Sequence, residues 1–144
     1  MLKEVLAQLD RNQVVNDCVR TLEAEVESKK GLSGLAVKGA FKVISAVKPG
    51  FVKAVVAGLL DEFVEELEPF YADWSATGEE SFGSYLEGAD HKVANALLGV
   101  TDKRAIKTEH VAAKKAYDKL RPSGVEHVRA AMPRVGKLLD QYLS

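Results

Sequence analysis

Apolar residues recur at three- and four-residue spacing along almost the whole of this 144-residue chain. In the first segment, for example, Leu2, Val5 and Leu9 fall on one side of a helix. Stretches in which apolar and polar residues alternate, as in a half-buried strand, are short, and no Asn-Gly or Asp-Gly hairpin turn occurs. The periodicity therefore predicts an all-α protein.

Glycine, proline and capping residues divide this pattern into five to seven helices. Asp10 followed by Asn12 is able to cap a new helix and split the first segment in two. Pro69 is expected to end or kink the third helix, and Pro133 to kink the last. The predicted helices cover residues 2–27, 33–47, 50–68, 82–98, 102–120 and 124–142, with a loop at 75–83.

Three hydroxyl side chains mark predicted helix starts, and one glycine marks a predicted end. Ser33, Thr101 and Ser123 each precede an apolar periodic run, as N-caps do. Gly99 is expected to terminate the fourth helix.

The second and third helices carry the broadest apolar faces, and we predict that they pack as a central hydrophobic αα-hairpin over residues 32–68. Phe41, Val55, Leu59 and Phe63 are the predicted core of this hairpin. The rest of the chain is expected to surround it as an irregular bundle. A length of 144 residues fits one domain, 1–144, with one hydrophobic core.

Charge is strongly segregated along the chain, although the net charge is only −1. Residues 1–27 carry a net charge of −3, and residues 28–53 carry six lysines and no acid. Residues 54–91 carry ten acids and no lysine or arginine, whereas residues 92–144 have a net charge of +6. Such blocks either pair within the fold or attract an oppositely charged partner.

The lysine-rich second helix is the first candidate for function. Its broad apolar arc favours a core helix with its lysines along one solvated stripe. A basic amphipathic helix can also lie on an anionic membrane or bind an acidic partner. Amides at its amino terminus could bind phosphate or another anion. The candidate ligand- or anion-binding residues are Lys29, Lys30, Ser33, Lys38 and Lys42.

The acidic side of the third helix is the second candidate. We expect it to meet the basic carboxy-terminal helices, within one chain or across a homodimer. The candidate interaction face consists of Asp61, Glu62, Glu65 and Glu66.

Four stretches resemble a small all-helical bacterial family of unknown function, found in actinobacteria and myxobacteria. They are KKGLSGLAVKGAFKVISAVKPGF at 29–51, LLDEFVEELEPFYADW at 59–74, ANALLGVTD at 94–102 and KKAYDKLRPSGVEHV at 114–128. The resemblance implies a bacterial cytosolic protein. It brings no catalytic residue with it.

Residues typical of catalysis or metal binding do not form a recognisable pattern. His91, His110 and His127 lie on separate predicted helices, without an HExxH or CxxC motif, and are interpreted as surface residues. Cys18, the only cysteine, is expected to be a buried and inert thiol. We predict no catalytic residue, no metal site and no cofactor. A basic carboxy-terminal face with Tyr117 as its only aromatic argues against nucleic acid as a partner.

The sequence thus favours a non-enzymatic binding protein with segregated acidic and basic faces, acting on an unknown protein partner or as a homodimer. A carrier of a small hydrophobic ligand is the alternative, and an anionic-membrane or phosphate-binding protein is the third. A lone cysteine fits a reducing compartment, and with the absence of an amino-terminal signal pattern or a long apolar run it predicts a cytoplasmic location.

Overall fold

The computed structural model describes residues 1–78 and 80–144, and in these residues it contains helices and no strand. In this part of the chain the first α-helix has six residues, and the seven α-helices after it have at least seven residues each. This architecture confirms the predicted all-α bundle. The helices are α1 Leu2–Ala7, α2 Arg11–Ser28, α3 Gly31–Ser45, α4 Phe51–Thr77, α5 Phe82–Gly88, α6 Asp90–Lys107, α7 Val111–Leu120 and α8 Gly124–Leu143, with a 3₁₀ turn at Arg121–Ser123 between the last two.

Several helix ends follow the predicted local signals. The Asp10 carboxylate accepts a hydrogen bond from the Asn12 amide at 3.0 Å and caps α2, so the first segment is split as predicted. Ser123 occupies the N-cap position of α8, although its side chain makes no capping hydrogen bond there. Ser33 does not cap α3. That helix begins two residues earlier, at Gly31, which has a positive φ of 73°.

Helix α4 continues through Pro69 and reaches Thr77, so the first three residues of the predicted loop at 75–83 belong to this helix. A proline inside a helix costs about 3 kcal/mol. Beyond the proline, Tyr71 and Trp74 pack on the hydrophobic core, and burial of these rings offsets that cost. The helix ends at Gly78, whose φ of 60° suits a left-handed C-cap.

Helix α6 likewise continues through Gly99 and Thr101, where a stop and a new start were predicted. Gly99 is flanked by the buried side chains of Leu98 and Val100, and this packing overrides its weak helix propensity. The Thr101 hydroxyl contacts the Leu98 carbonyl oxygen and the Tyr117 hydroxyl instead of capping a helix. The helical structure is interrupted between Gly88 and Asp90 and again after Lys107, two positions where the sequence predicted continuous helix.

The hydrophobic core lies away from the predicted central hairpin. It is built by α1, the second half of α4, α5, α6 and α8, and α3 packs chiefly against α7 instead of α4. Of the four predicted core residues, Leu59 is buried, whereas Phe41, Val55 and Phe63 are only partly buried. The core cluster consists of Leu2, Val64, Leu67, Phe82, Leu86, Val93, Met132 and Leu139.

Helices α5 and α8 cross with their backbones in direct contact. A Cβ atom built on Gly83 would lie 2.7 Å from the carbonyl oxygen of Gly136, and one on Gly136 would lie 2.8 Å from the Gly83 Cα. The Gly83 amide also donates to the Asp140 carboxylate at 2.9 Å, which satisfies one of the free amides of the first turn of α5. No side chain larger than a hydrogen atom fits between the two helices here.

We therefore expect Gly136→Ala to lower the free energy of unfolding by about 1–3 kcal/mol, because the added methyl group must push the helices apart. Urea denaturation followed by circular dichroism measures the change. Gly99→Ala is the matched control: it also lies inside a helix, but a Cβ there meets nothing within 4 Å. This control should raise stability by up to about 1 kcal/mol. Equal stability of the two variants would contradict the close crossing.

Candidate interaction surface

The inner side of α3 is apolar and packs on the rest of the protein. Gly34, Val37 and Ala40 are buried, and Phe41 and Ile44 are partly buried. These residues recur at three- and four-residue spacing, so one stripe of the helix accounts for its attachment to the bundle.

The outer side of α3 is also apolar, but it faces solvent. The side chains of Leu32, Leu35 and Val43 are 87%, 66% and 45% exposed. Ala36 and Gly39 lie between them and are exposed too. At 100° per residue these five positions fall within a sector of about 100°. They form one continuous surface, which we call the outer stripe.

Two lysines run along one edge of the outer stripe. Lys38 and Lys42 are one turn apart and exposed, and within the described residues neither forms an ion pair. The sequence contains no acid between Ser28 and Leu60, so this segment of the chain carries only positive charge. The edge therefore offers an uncompensated positive charge next to an apolar surface.

The predicted anion-binding residues are divided between two places. Lys30, Lys38 and Lys42 are exposed to solvent. Lys29, by contrast, forms an ion pair with Glu25 at 2.7 Å, with both side chains only 12% exposed. The Ser33 hydroxyl lies 3.2 Å from the Nε2 atom of His127 on α8. Lys29 and Ser33 thus attach α3 to its neighbours, and these contacts occupy them.

Glu25 and Lys29 belong to a polar junction between α2, α3 and α8. Glu25 also binds the Arg134 guanidinium at 3.1 Å, and the Lys29 ammonium lies 3.4 Å from the His127 carbonyl oxygen. Burial and, after it, the positive charge of Lys29 lower the pKa of His127. Glu126 and Glu25 act in the opposite direction, but their effect is smaller.

This junction predicts a pH dependence of stability. Because the His127 pKa is lower in the folded chain, the unfolded chain binds more protons once the pH falls below the ordinary value of 6.5. The free energy of unfolding should therefore be constant above this pH and fall as the pH decreases through the folded pKa. Denaturation between pH 7 and 5 measures it, and His127→Gln should flatten the profile. An unchanged profile in the variant would contradict the assignment.

The four residues of the predicted acidic face do not point the same way. Asp61 pairs with Arg11 at 2.9 Å, and Glu65 lines the same groove beside α1 and α2. Glu62 lines a different cleft of about 370 Å³, together with Lys103, Arg104 and Lys107 of α6. Glu66 is partly buried. Glu62 thus lies beside the basic residues of α6, although it forms no ion pair with them, whereas Asp61 has a partner near the amino terminus.

Two carboxylates that the sequence did not single out anchor helix ends. Asp102 accepts hydrogen bonds from Arg121 at 2.8 and 3.1 Å, and the Arg121 guanidinium lowers the pKa of its carboxyl group. Asp17 accepts one from the Tyr142 hydroxyl at 2.6 Å, which lowers its pKa. Burial and, after it, the Asp102 contact raise the pKa of Tyr117 to about 12. No local sequence signal marks these pairs, because the partners are 15 to 125 residues apart.

Cys18 and the histidines form no common centre. Cys18 is half-buried, less than predicted, and burial together with the Asp17 charge raises its thiol pKa to about 11, so the thiol stays protonated at neutral pH. His91 is exposed on α6, while His110 precedes α7 and meets Phe51 edge-on with ring centroids 4.9 Å apart. Over residues 1–78 and 80–144, no group of three His, Cys, Asp or Glu is placed to hold a metal ion.

None of the helices in the described ranges is both long enough and apolar enough to cross a membrane.

The family model of DUF6918, a family of unknown function, covers residues 2–143, which agrees with the resemblance to an uncharacterised family. No curated protein and no solved structure matches the chain.

Proposed function

We propose that this chain, which belongs to the family of unknown function DUF6918, is a non-enzymatic interaction protein that binds a partner through the outer stripe of α3. The observation that carries the proposal is the exposure of Leu32 and Leu35, at 87% and 66%, on one helical surface. Single exposed apolar residues are common, but a continuous apolar surface on a small protein usually marks a contact site.

Gly39, at the centre of the outer stripe, is compatible with such a contact. A glycine inside a helix costs about 1 kcal/mol relative to alanine. A Cβ atom at this position would meet nothing within 4 Å, and the φ of Gly39 is not positive. Gly39 therefore leaves room for a partner backbone to approach the outer stripe, as other exposed helical glycines such as Gly99 do elsewhere, and its place at the centre of the stripe is what relates it to this contact.

The carrier of a hydrophobic ligand has weaker support. An apolar depression lies between α3, α4, α6 and α7, lined by residues such as Ile44, Phe51 and Val55, but its volume is about 120 Å³. Sites for small ligands usually enclose roughly 300–1,000 Å³. A lipid-like molecule would fit this depression only after the helices around it had moved apart.

We also propose that the protein is bacterial and lies in the cytoplasm. The resemblance of the four quoted stretches to a bacterial family supports the first part. The lone, protonated thiol of Cys18 supports the second, because it fits a reducing compartment.

The test is photo-crosslinking in the cells from which the protein comes. A photoreactive phenylalanine analogue replaces Leu35 on the outer stripe or, as the control, Gln141, which is exposed on α8. We expect a discrete adduct from position 35 and none from position 141. Adding Leu32→Ser should remove the adduct, because it removes apolar area from the contact.

Stability measurements distinguish a lost contact from unfolding as the cause of a missing adduct. Leu32→Ser should change the free energy of unfolding by less than about 0.5 kcal/mol, because the side chain is exposed. Val37→Ser, on the buried side of the same helix, should cost more than about 1 kcal/mol. Equal adducts from positions 35 and 141, or none from position 35, would refute the proposed function.

A further inference from the structure

The shape of the outer stripe indicates what kind of surface it fits. Its bulky residues, Leu32 and Leu35 at one end and Val43 at the other, are separated by Ala36 and Gly39. From Leu32 to Val43 the stripe is about 17 Å long at 1.5 Å per residue. Small residues between large ones form a shallow saddle, and a second helix that crosses there approaches the α3 backbone closely.

A lipid surface fits this shape less well. Helices that lie in a membrane interface insert aromatic and bulky aliphatic side chains below the headgroups. The outer stripe has no aromatic residue, because Phe41, the one aromatic side chain of α3, is on the inner side and partly buried. Gly39 and Ala36 at its centre contribute little apolar area to a flat surface.

The charges beside the stripe define the chemistry of the partner. Lys38 and Lys42 lie along one edge with no ion pair in the described chain, and no acid occurs between Ser28 and Leu60 to compensate them. Helices that pack side by side usually place opposite charges along the edges of the apolar seam. A symmetric contact between two copies of α3 would provide no carboxylate for these lysines.

Resting on the proposed function, we infer that the occupant of the outer stripe is an amphipathic helix of another protein, apolar on one face and lined with Asp or Glu beside it. This helix crosses α3 at Ala36 and Gly39, and its carboxylates lie opposite Lys38 and Lys42. The inferred partner therefore presents an acidic amphipathic helix, and the contact combines close backbone packing with charge pairing.

Variants of the crosslinking protein test both parts. Lys38→Glu with Lys42→Glu should lower the yield of the position-35 adduct at least tenfold, because like charges would face each other. Lys137→Glu with Lys92→Glu, which makes the same charge change at exposed positions on α8 and α6, should leave the yield unchanged. Gly39→Leu should abolish the adduct, whereas Gly99→Leu, on an exposed part of α6, should not.

Gly39→Ala keeps the test interpretable if larger substitutions disturb folding. Alanine should raise the melting temperature, because it favours helix and meets no neighbour in the chain. The same variant should weaken the adduct, because the added methyl group stands in the saddle. A more stable protein that binds less well is a result that unfolding cannot produce.

The adduct itself, mapped by mass spectrometry, decides the partner. Attachment to an acidic helical segment of another protein, lost on lysine reversal, supports the inference. Attachment to a second copy, or to a segment without carboxylates, overturns it while the proposed function stands. Lysine-dependent sedimentation with phosphatidylglycerol–phosphatidylcholine vesicles, without a protein adduct, overturns it in favour of a membrane. Equal adducts at positions 35 and 141 reject the proposed function itself.

Discussion

The contact between the backbones of α5 and α8 at Gly83 and Gly136 sets the position of everything else in the bundle. Because no side chain separates the two helices, the short α5 lies deep against α8, and Phe82 and Leu86 are completely buried. Tyr71 and Trp74 then pack on the Phe82 ring, with ring centroids 5.4 Å from it. This aromatic group is what holds the second half of α4 in helical form beyond its proline.

A core so placed leaves α3 and α7 at the periphery, where they pack chiefly on each other through small apolar residues and are joined to the other helices by additional polar contacts. The Glu25 junction attaches the start of α3, and Asp102 and Arg121 join α6 to the turn after α7. Ion pairs that remain partly exposed contribute less than buried apolar contacts of similar extent. Because α3 contributes no residue to the core cluster, we expect the edge that carries the outer stripe to open more readily than the core, as is common for regions that bind partners.

Local signals in the sequence were sufficient to predict helix nearly everywhere and to find the break at Asp10, because a cap needs only neighbouring residues. They failed at Gly99 and Thr101, and they placed a helix end at Pro69 where α4 continues, because contacts with distant residues outweigh local preference at these positions. The core was misplaced for a related reason. Periodicity identifies apolar faces, but it does not identify which helix each face meets, and α3 meets α7.

The candidate site was likewise predicted only in part from the sequence. Lys38 and Lys42 were predicted correctly as exposed residues, since a stripe of lysines is rarely buried. The broad apolar arc of α3 was interpreted as one buried surface, yet it consists of two: α7 covers one, and solvent covers the other. Asp61 and Glu62 were grouped as one face, but neighbouring helical residues point about 100° apart, and the two reach different grooves.

The single tryptophan gives this molecule a built-in optical probe of its core. The indole N–H of Trp74 donates to the Glu80 carbonyl oxygen at 2.6 Å, and its ring touches the aromatic group around Phe82. Helix α3 contributes no residue to that group or to the core cluster beneath it. The emission spectrum of Trp74 therefore reports on the α4–α5 region. A ligand bound to α3 would leave the emission wavelength unchanged, whereas global unfolding would shift it to the red.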